Sequence, residues 1–291
     1  MRIALHPRDP IAVALAYVDK STVVSMLDLS GKEPKAICEE RLDRCLYCPS
    51  VTKDFWGCLY HEPPASFDSP AFFEMWDWKG KQREQTQFDH DCIWFQDMKF
   101  SPDGRLAAIS SFGEATRIYT LPELKVIAHL EGGEYISGTA FDDSSSKVSA
   151  MHTFQGGGYI SLHRIDGNEV EEGKEIRSDT FKKESLLYDF ADTFASLAFL
   201  PENKGILAFA TNSAAGDQGD GTFWQGELIL FALDSNSPIW RTIIDSNLAK
   251  VVGETEAIPT TFITLCAAGE LALVGTLDGS VLVIRTGDGS L

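Results

Sequence analysis

A strand–turn–strand unit recurs along the chain, and that repeat limits the fold more than any other sequence feature. Its clearest copy runs Met98-Lys99-Phe100-Ser101-Pro102-Asp103-Gly104-Arg105-Leu106-Ala107-Ala108-Ile109-Ser110, two apolar stretches joined by a Pro-Asp-Gly turn. The same shape opens the chain at Leu5-His6-Pro7-Arg8-Asp9-Pro10-Ile11-Ala12 and returns at Ala198-Phe199-Leu200-Pro201-Glu202-Asn203-Lys204-Gly205-Ile206. Weaker copies centre on Asp142-Asp143-Ser144-Ser145 and Ala267-Ala268-Gly269-Glu270. A third short apolar run follows each hairpin, and usually a fourth. After Ile109 come Thr116–Tyr119 and Lys125–His129; after Ala208 come Glu227–Phe231 and Pro238–Thr242. Long helical periodicity is scarce, so the chain reads as all-β.

Hairpins starting near positions 7, 50, 101, 142, 201 and 267 define six four-stranded units. Such units repeating every ~40–50 residues are the sequence mark of propeller blades. The expectation is a single β-propeller domain over residues 1–291 with six blades. The long gaps 142–201 and 201–267 keep seven as the alternative. The last unit shows three strands and no fourth, so it is read as incomplete.

Residues 76–104 carry a family likeness. Trp76-Asp77 ends a third strand, Asp89-His90 follows, and Phe100-Ser101-Pro102-Asp103-Gly104 completes the run. This resembles the WD-repeat signature, in which Trp-Asp, Gly-His and Ser-Pro-Asp-Gly fall in that order. Asp89 departs from the family's Gly, and Gly113 or Glu114 stands where the family places an Asp before its third strand; the last unit keeps that turn as Asp278-Gly279-Ser280-Val281. The resemblance implies a propeller that serves as a scaffold or adaptor, and a structural role for His90. It specifies fold far better than function.

Connections sort by type. Those inside the first hairpin and between third and fourth strands are short. Long ones are expected only between second and third strands or between blades: His61–Pro70, Gln87–Gln96, Glu171–Phe194, Thr211–Gly226 and Asp245–Thr260. In an antiparallel blade both kinds of junction lie at the same end of the strands, so all five are expected on one face, commonly the binding side of a repeat protein. They carry aromatic residues Phe67, Trp94, Phe95, Phe181, Tyr188, Phe190, Phe223 and Trp224. Beside these stand Glu62, Asp68, Asp89, Asp91, Asp189, Asp192, Asp217, Asp220, Glu254 and Glu256. Aromatic anchors within an acidic rim fit a basic partner, the rings binding and the charge steering. The opposing reading is that these aromatics, Trp94 and Phe95 above all, tuck back to fill the propeller's mouth.

Charge points the same way. With 25 Lys+Arg against 43 Asp+Glu the net charge is −18, which repels phosphate backbones and anionic lipid. Nucleic-acid and membrane roles lose ground, and a basic protein or peptide segment gains it. No run approaches the ~18 apolar residues of a membrane helix. Six cysteines fall mostly within apolar strand patterns, which fits a reducing cytoplasm.

Chemistry-bearing constellations are weak. Cys45 and Cys48 with Cys58 and His61 have spacings that could hold zinc, but Cys45 and Cys48 fall in an expected strand, where residues three apart face opposite sides. Buried structural cysteines are the stronger reading. Gly216–Gly221 lacks the ligand spacing and bidentate Glu of a calcium loop. No Gly-x-Ser-x-Gly, His-Glu-x-x-His or Gly-Lys-Ser/Thr motif occurs.

The leading expectation is therefore a non-catalytic, cofactor-free binding protein, monomeric when free, that neutralises or chaperones one basic partner, as a toxin-neutralising immunity protein does. Phe67, Asp68, Trp94, Phe95, Phe181, Tyr188, Asp189, Asp192, Asp217, Asp220, Phe223, Trp224, Glu254 and Glu256 are its expected contacts. The rivals are a scaffold subunit of a stable multi-protein complex and a metal-dependent propeller hydrolase or lactonase.

Overall fold

The computed structural model describes residues 2–62, 69–88, 95–111, 116–130, 135–154, 157–177, 195–214, 223–235, 237–245, 262–265, 269–275 and 281–290. Within these, alternating and continuous apolar runs form 23 strands in six antiparallel sheets, each with its strands in chain order. The residues fall into two compact units, Met1–Leu130 and Glu131–Leu291.

The first unit holds three four-stranded sheets. Sheet 1 is β1 (Arg2–Leu5), β2 (Ile11–Val18), β3 (Ser21–Asp28) and β4 (Lys35–Leu42). Sheet 2 is β5 (Tyr47–Val51), β6 (Phe55–His61), β7 (Ala71–Asp77) and β8 (Gln82–Phe88). Sheet 3 is β9 (Phe95–Phe100), β10 (Leu106–Ser111), β11 (Thr116–Thr120) and β12 (Val126–Leu130).

The second unit repeats the plan. Sheet 4 is β13 (Tyr135–Phe141), β14 (Lys147–Phe154), β15 (Gly157–Asp166) and β16 (Glu169–Arg177). Sheet 5 is β17 (Ala195–Phe199), β18 (Ile206–Ala214), β19 (Phe223–Phe231) and β20 (Pro238–Asp245). Sheet 6 has three strands, β21 (Phe262–Leu265), β22 (Leu271–Gly275) and β23 (Val281–Arg285). All six hairpins expected near 7, 50, 101, 142, 201 and 267 join the first two strands of a sheet, and the last sheet is the incomplete one.

Successive sheets within a unit pack face to face, which explains why many strands are apolar throughout rather than alternating. In a strand, neighbouring side chains point to opposite faces. Leu207 and Phe209 of β18 therefore enter the core shared with sheet 6, beside Ala272, Val274 and Ile284. Ile206 and Ala208 enter the core shared with sheet 4, beside Met151, Ile160 and Ile176. In sheet 2, Trp56, Cys58, Tyr60 and Trp76 face sheet 1, whereas Leu59, Phe73 and Met75 face sheet 3. A strand between two cores has no solvent face on which to place charge.

Short turns close the first hairpins through side-chain caps. Ser101 Oγ accepts from Leu106 N at 2.9 Å and donates to Asp103 at 2.7 Å, while Gly104 takes the left-handed φ of 74° that the turn requires. Asp142 does the same work in sheet 4: it is 1% exposed and accepts from the backbone N–H groups of Ser146 and Lys147, each at 2.8 Å, and from the Ser144 hydroxyl.

Candidate interaction surface

Chain-order antiparallel sheets have two unlike ends. The turns joining first to second and third to fourth strands share one end. The second-to-third connection and the passages between sheets share the other. At the first end the connections stay short, as at 52–54, 78–81, 101–105, 121–125 and 142–146. The four longest connections, 62–70, 178–194, 215–222 and 246–261, all belong to the second end; the fifth expected loop, 89–94, also lies there but is no longer than 29–34, 200–205 and 232–237 at the first end. The junction types are those expected from sequence; four of the five are shorter, because strands run further than the sequence indicated, while the last keeps its expected length at 246–261.

At that second end the first unit carries a row of aromatic side chains. Tyr17 and Val18 finish β2 and are 38% and 41% exposed, next to the tight Asp19-Lys20 turn. Tyr47, the first residue of β5, lies with its ring 6.5 Å from that of Tyr17. Tyr17 is held in place by its hydroxyl, which donates to the Leu46 carbonyl at 2.6 Å. Tyr60, near the end of β6, stacks on Phe72 of β7 with centroids 4.9 Å apart. His61 stacks on Phe95 at 4.7 Å and joins the ends of sheets 2 and 3. Tyr17, Val18, Tyr47, Tyr60 and Phe72 went unnoticed in the sequence because they sit inside strand patterns. The two exposed positions that end the otherwise buried run of β2 were the available signal.

Under this row lies a buried ion pair. Glu74 of β7 has no exposed side-chain surface, and its Oε1 accepts from Arg44, which sits on the passage between sheets 1 and 2. The Arg44 guanidinium lies 5.0 Å from the Tyr60 ring centre, a cation–π contact. Gln82 reaches the same carboxylate at 3.4 Å, and Gln85 donates to the Tyr60 hydroxyl at 2.7 Å. Burial pushes the Glu74 carboxyl up; the Arg44 charge and hydrogen bond, and then the Trp76 indole, pull it part of the way back, leaving it raised. Burial and the nearby Glu74 charge push the Tyr60 phenol up to about 12. Burial, again with Glu74, holds the Cys58 thiol well above its usual range, so it is not a ready nucleophile.

Several expected site residues are relocated. Phe95 is not a free loop anchor: it opens β9, is 6% exposed, and fills the end of the core between sheets 2 and 3. Phe223 and Trp224 do not lie in a loop either. They open β19, opposite Ala214 and Ser213 of β18. Phe67, Asp68, Trp94, Phe181, Tyr188, Asp189, Asp192, Asp217, Asp220, Glu254 and Glu256 lie outside the described residues, as does His90.

The cysteines are also placed differently. Cys45 precedes β5 rather than lying in it, so of the Cys45–Cys48 pair Cys48 alone is a strand residue. Cys58 enters the core between sheets 1 and 2, whereas Cys48 enters the one between sheets 2 and 3. Opposite faces of one sheet cannot supply adjacent ligands, and no group of His, Cys, Asp or Glu among the described residues could hold a metal ion. Cys38, Cys45, Cys48 and Cys58 are free thiols.

No family model matches this chain, and no curated protein matches it in sequence. In three dimensions it is similar to hydrazine synthase of Kuenenia stuttgartiensis, with a TM-score of 0.63 over 97% of this chain and 75% of that one, at 11% identity. The likeness and the succession of antiparallel four-stranded sheets define the class: an all-β protein with the β-propeller fold. At that identity the likeness bears on fold alone. Among the described residues no helix is long and apolar enough to cross a membrane.

Proposed function

We propose that this chain is a non-catalytic, protein-binding propeller of the WD-repeat type that holds a basic protein partner at the loop-bearing end of its sheets. One observation carries the reading: the four longest connections, and the exposed Tyr17 with the half-buried Tyr47 beside it, belong to the same type of strand end. The net charge of −18 supplies the complement to a basic surface. The WD-repeat assignment is supported by Trp76-Asp77 at the end of β7 and by the hydrogen-bonded Ser101-Pro102-Asp103-Gly104 turn. Four free thiols suit a reducing cytoplasm. In this reading the free protein is monomeric and neutralises or chaperones its partner.

The test begins with capture of the partner from host lysate and its identification by mass spectrometry. Lysine is then placed together at Asp217, Asp220, Glu254 and Glu256. Association is expected to slow by about tenfold or more at low salt and to lose most of its salt dependence. A partner of acidic charge, or association kinetics unchanged by the four lysines, contradicts the reading.

A further inference from the structure

Four of the six sheets open their first hairpin with a side-chain cap at the same place. The backbone N–H groups of His6, Thr52, Ser101 and Asp142 donate to the carbonyls of Ile11, Phe55, Leu106 and Lys147, the first residues of β2, β6, β10 and β14. The four positions are thus equivalent. In sheets 2, 3 and 4 an oxygen then accepts from the turn: Thr52 Oγ1 from Asp54 N and Phe55 N, Ser101 Oγ from Leu106 N, and Asp142 from Ser146 N and Lys147 N. In sheet 1 the acceptor is a nitrogen. His6 Nδ1 accepts from Asp9 N at 2.7 Å and from Arg8 N at 3.1 Å.

Those two bonds settle where the ring carries its proton. A ring nitrogen that accepts has none, so the imidazole is neutral and its one N–H is on Nε2. Nε2 donates to the Lys53 carbonyl, 3.0 Å away in the equivalent turn of sheet 2. The side chain is buried and meets Trp78 edge to face, with ring centroids 4.6 Å apart, while Trp78 Nε1 donates to the Thr52 carbonyl at 3.2 Å. His6 therefore shapes its own turn and also ties sheet 1 to sheet 2, at the end away from the long connections. The charged groups of the packed elements are Arg8 and Asp9 on its own turn, Lys53 and Asp54 on the sheet 2 turn, and Asp77, Lys79 and Lys81 beside Trp78. Asp9 Oδ2, on an exposed side chain, stands 3.5 Å from Nδ1.

We propose that the turn at 6–10 is an acid-driven two-state switch with His6 as its trigger. In neutral solution Nδ1 accepts from Asp9 N and Arg8 N. A proton added in mild acid goes to Nδ1, the one unprotonated ring nitrogen, and turns that acceptor into a donor. Three N–H groups then point at one another. The turn relieves this by giving Nδ1–H to the Asp9 carboxylate and releasing both backbone donors to water. The Pro10 carbonyl, which accepts from Leu29 N at 2.6 Å, carries the change to the end of β3. The hydroxyl caps Thr52 and Ser101 do not titrate, so the turns of sheets 2 and 3 hold at the same pH. The switch lies at the opposite strand end from the proposed partner surface and does not depend on it.

The test is nuclear magnetic resonance of the 291-residue chain between about pH 8 and about pH 5. At the upper end the His6 ring nitrogens are expected to show Nε2 protonated and Nδ1 bare. As His6 gains charge, protection of the Asp9 amide, corrected for intrinsic exchange, is expected to fall by about tenfold or more. The Asp54 amide, capped by Thr52, is expected to keep its protection over the same range. His6→Ser supplies the cap that sheet 3 uses and is expected to hold the position 9 amide equally at both ends of the range. A proton on Nδ1 at the upper end overturns the proposal, as does a His6 still neutral at the lower end. So does an Asp9 amide whose protection ignores the charge of His6, or a His6→Ser chain that responds to acid as the parent does. The first three readouts come from the parent chain, so they decide the matter if the variant does not fold.

Discussion

Arg44 donates a hydrogen bond to a Glu74 carboxylate that has no exposed surface, and so ties the passage between sheets 1 and 2 to the middle of β7. The pair sits among Trp56, Cys58, Tyr60 and Trp76, where an unpaired charge has little else to interact with.

Removing Arg44 is therefore predicted to cost more than an ordinary surface charge. Arg44→Met at neutral pH leaves the carboxylate buried without a cation, with the 3.4 Å contact from Gln82 in its place, and is expected to lower unfolding free energy by about 2–4 kcal/mol. The folded chain already holds the Glu74 proton more tightly than the unfolded chain does. Its contribution to stability is thus full below the ordinary carboxylate range and is lost as pH rises through the raised folded value. Glu74→Gln should flatten this part of the stability–pH curve and bring the Tyr60 phenol down from about 12, which ultraviolet titration can follow. Identical curves for Glu74→Gln and the parent chain would remove Glu74 as the source.

Asp142 predicts the opposite slope. Burial raises its carboxyl, but hydrogen bonds from Ser144, Lys147 and Ser146 outweigh that and leave it lowered. Its stabilisation is present above the ordinary carboxylate range and disappears as pH falls through the depressed folded value. Asp142→Ala is expected to cost about 1–3 kcal/mol at neutral pH, with the gap from the parent closing in acid. Chemical denaturation at several pH values measures it.

Gly289 packs where a side chain has no room. A Cβ there would meet Trp240 at 2.6 Å, on a residue whose φ is 73°. Gly289→Ala is predicted to destabilise the chain by about 1–3 kcal/mol and to change Trp240 fluorescence. Gly167, also left-handed but with open space around it, serves as the control: Gly167→Ala should cost about 1 kcal/mol.

The strand-end group of Tyr17, Val18 and Tyr47 predicts a separation of binding from stability. Val18→Asp and Tyr47→Ala are expected to change unfolding free energy by less than about 1.5 kcal/mol. Together they should weaken partner binding by tenfold or more, about 1.4 kcal/mol. Equal binding by the double variant, measured calorimetrically, would take the aromatic row out of the interface.

Much of the fold was legible because turns announce themselves. Pro102-Asp103-Gly104 and Asp142 fix hairpins through their own short-range hydrogen bonds, so position alone gave their place. Strand ends carry no such local mark. Phe223 and Trp224 follow a Gly- and Asp-rich stretch and so read as loop, yet the ladder from Phe231 to Phe223 continues through them, because pairing with β18 decides where β19 begins. Phe95 read as a possible anchor for a related reason: its partner, His61, lies 34 positions away on another sheet. The Arg44–Glu74 pair was invisible, since nothing in a run such as Phe72-Phe73-Glu74-Met75 names the cation that neutralises its one charge.

The central claim is that the partner is held at the loop-bearing ends of the sheets, and hydrogen-exchange footprinting of the captured complex tests it most directly. The account predicts slowed exchange at 17–20, 44–47, 62–70, 89–94 and 178–194, with no change at the opposite turns 52–54, 101–105 and 142–146. Protection confined to those short turns, or spread equally over both ends, would contradict it.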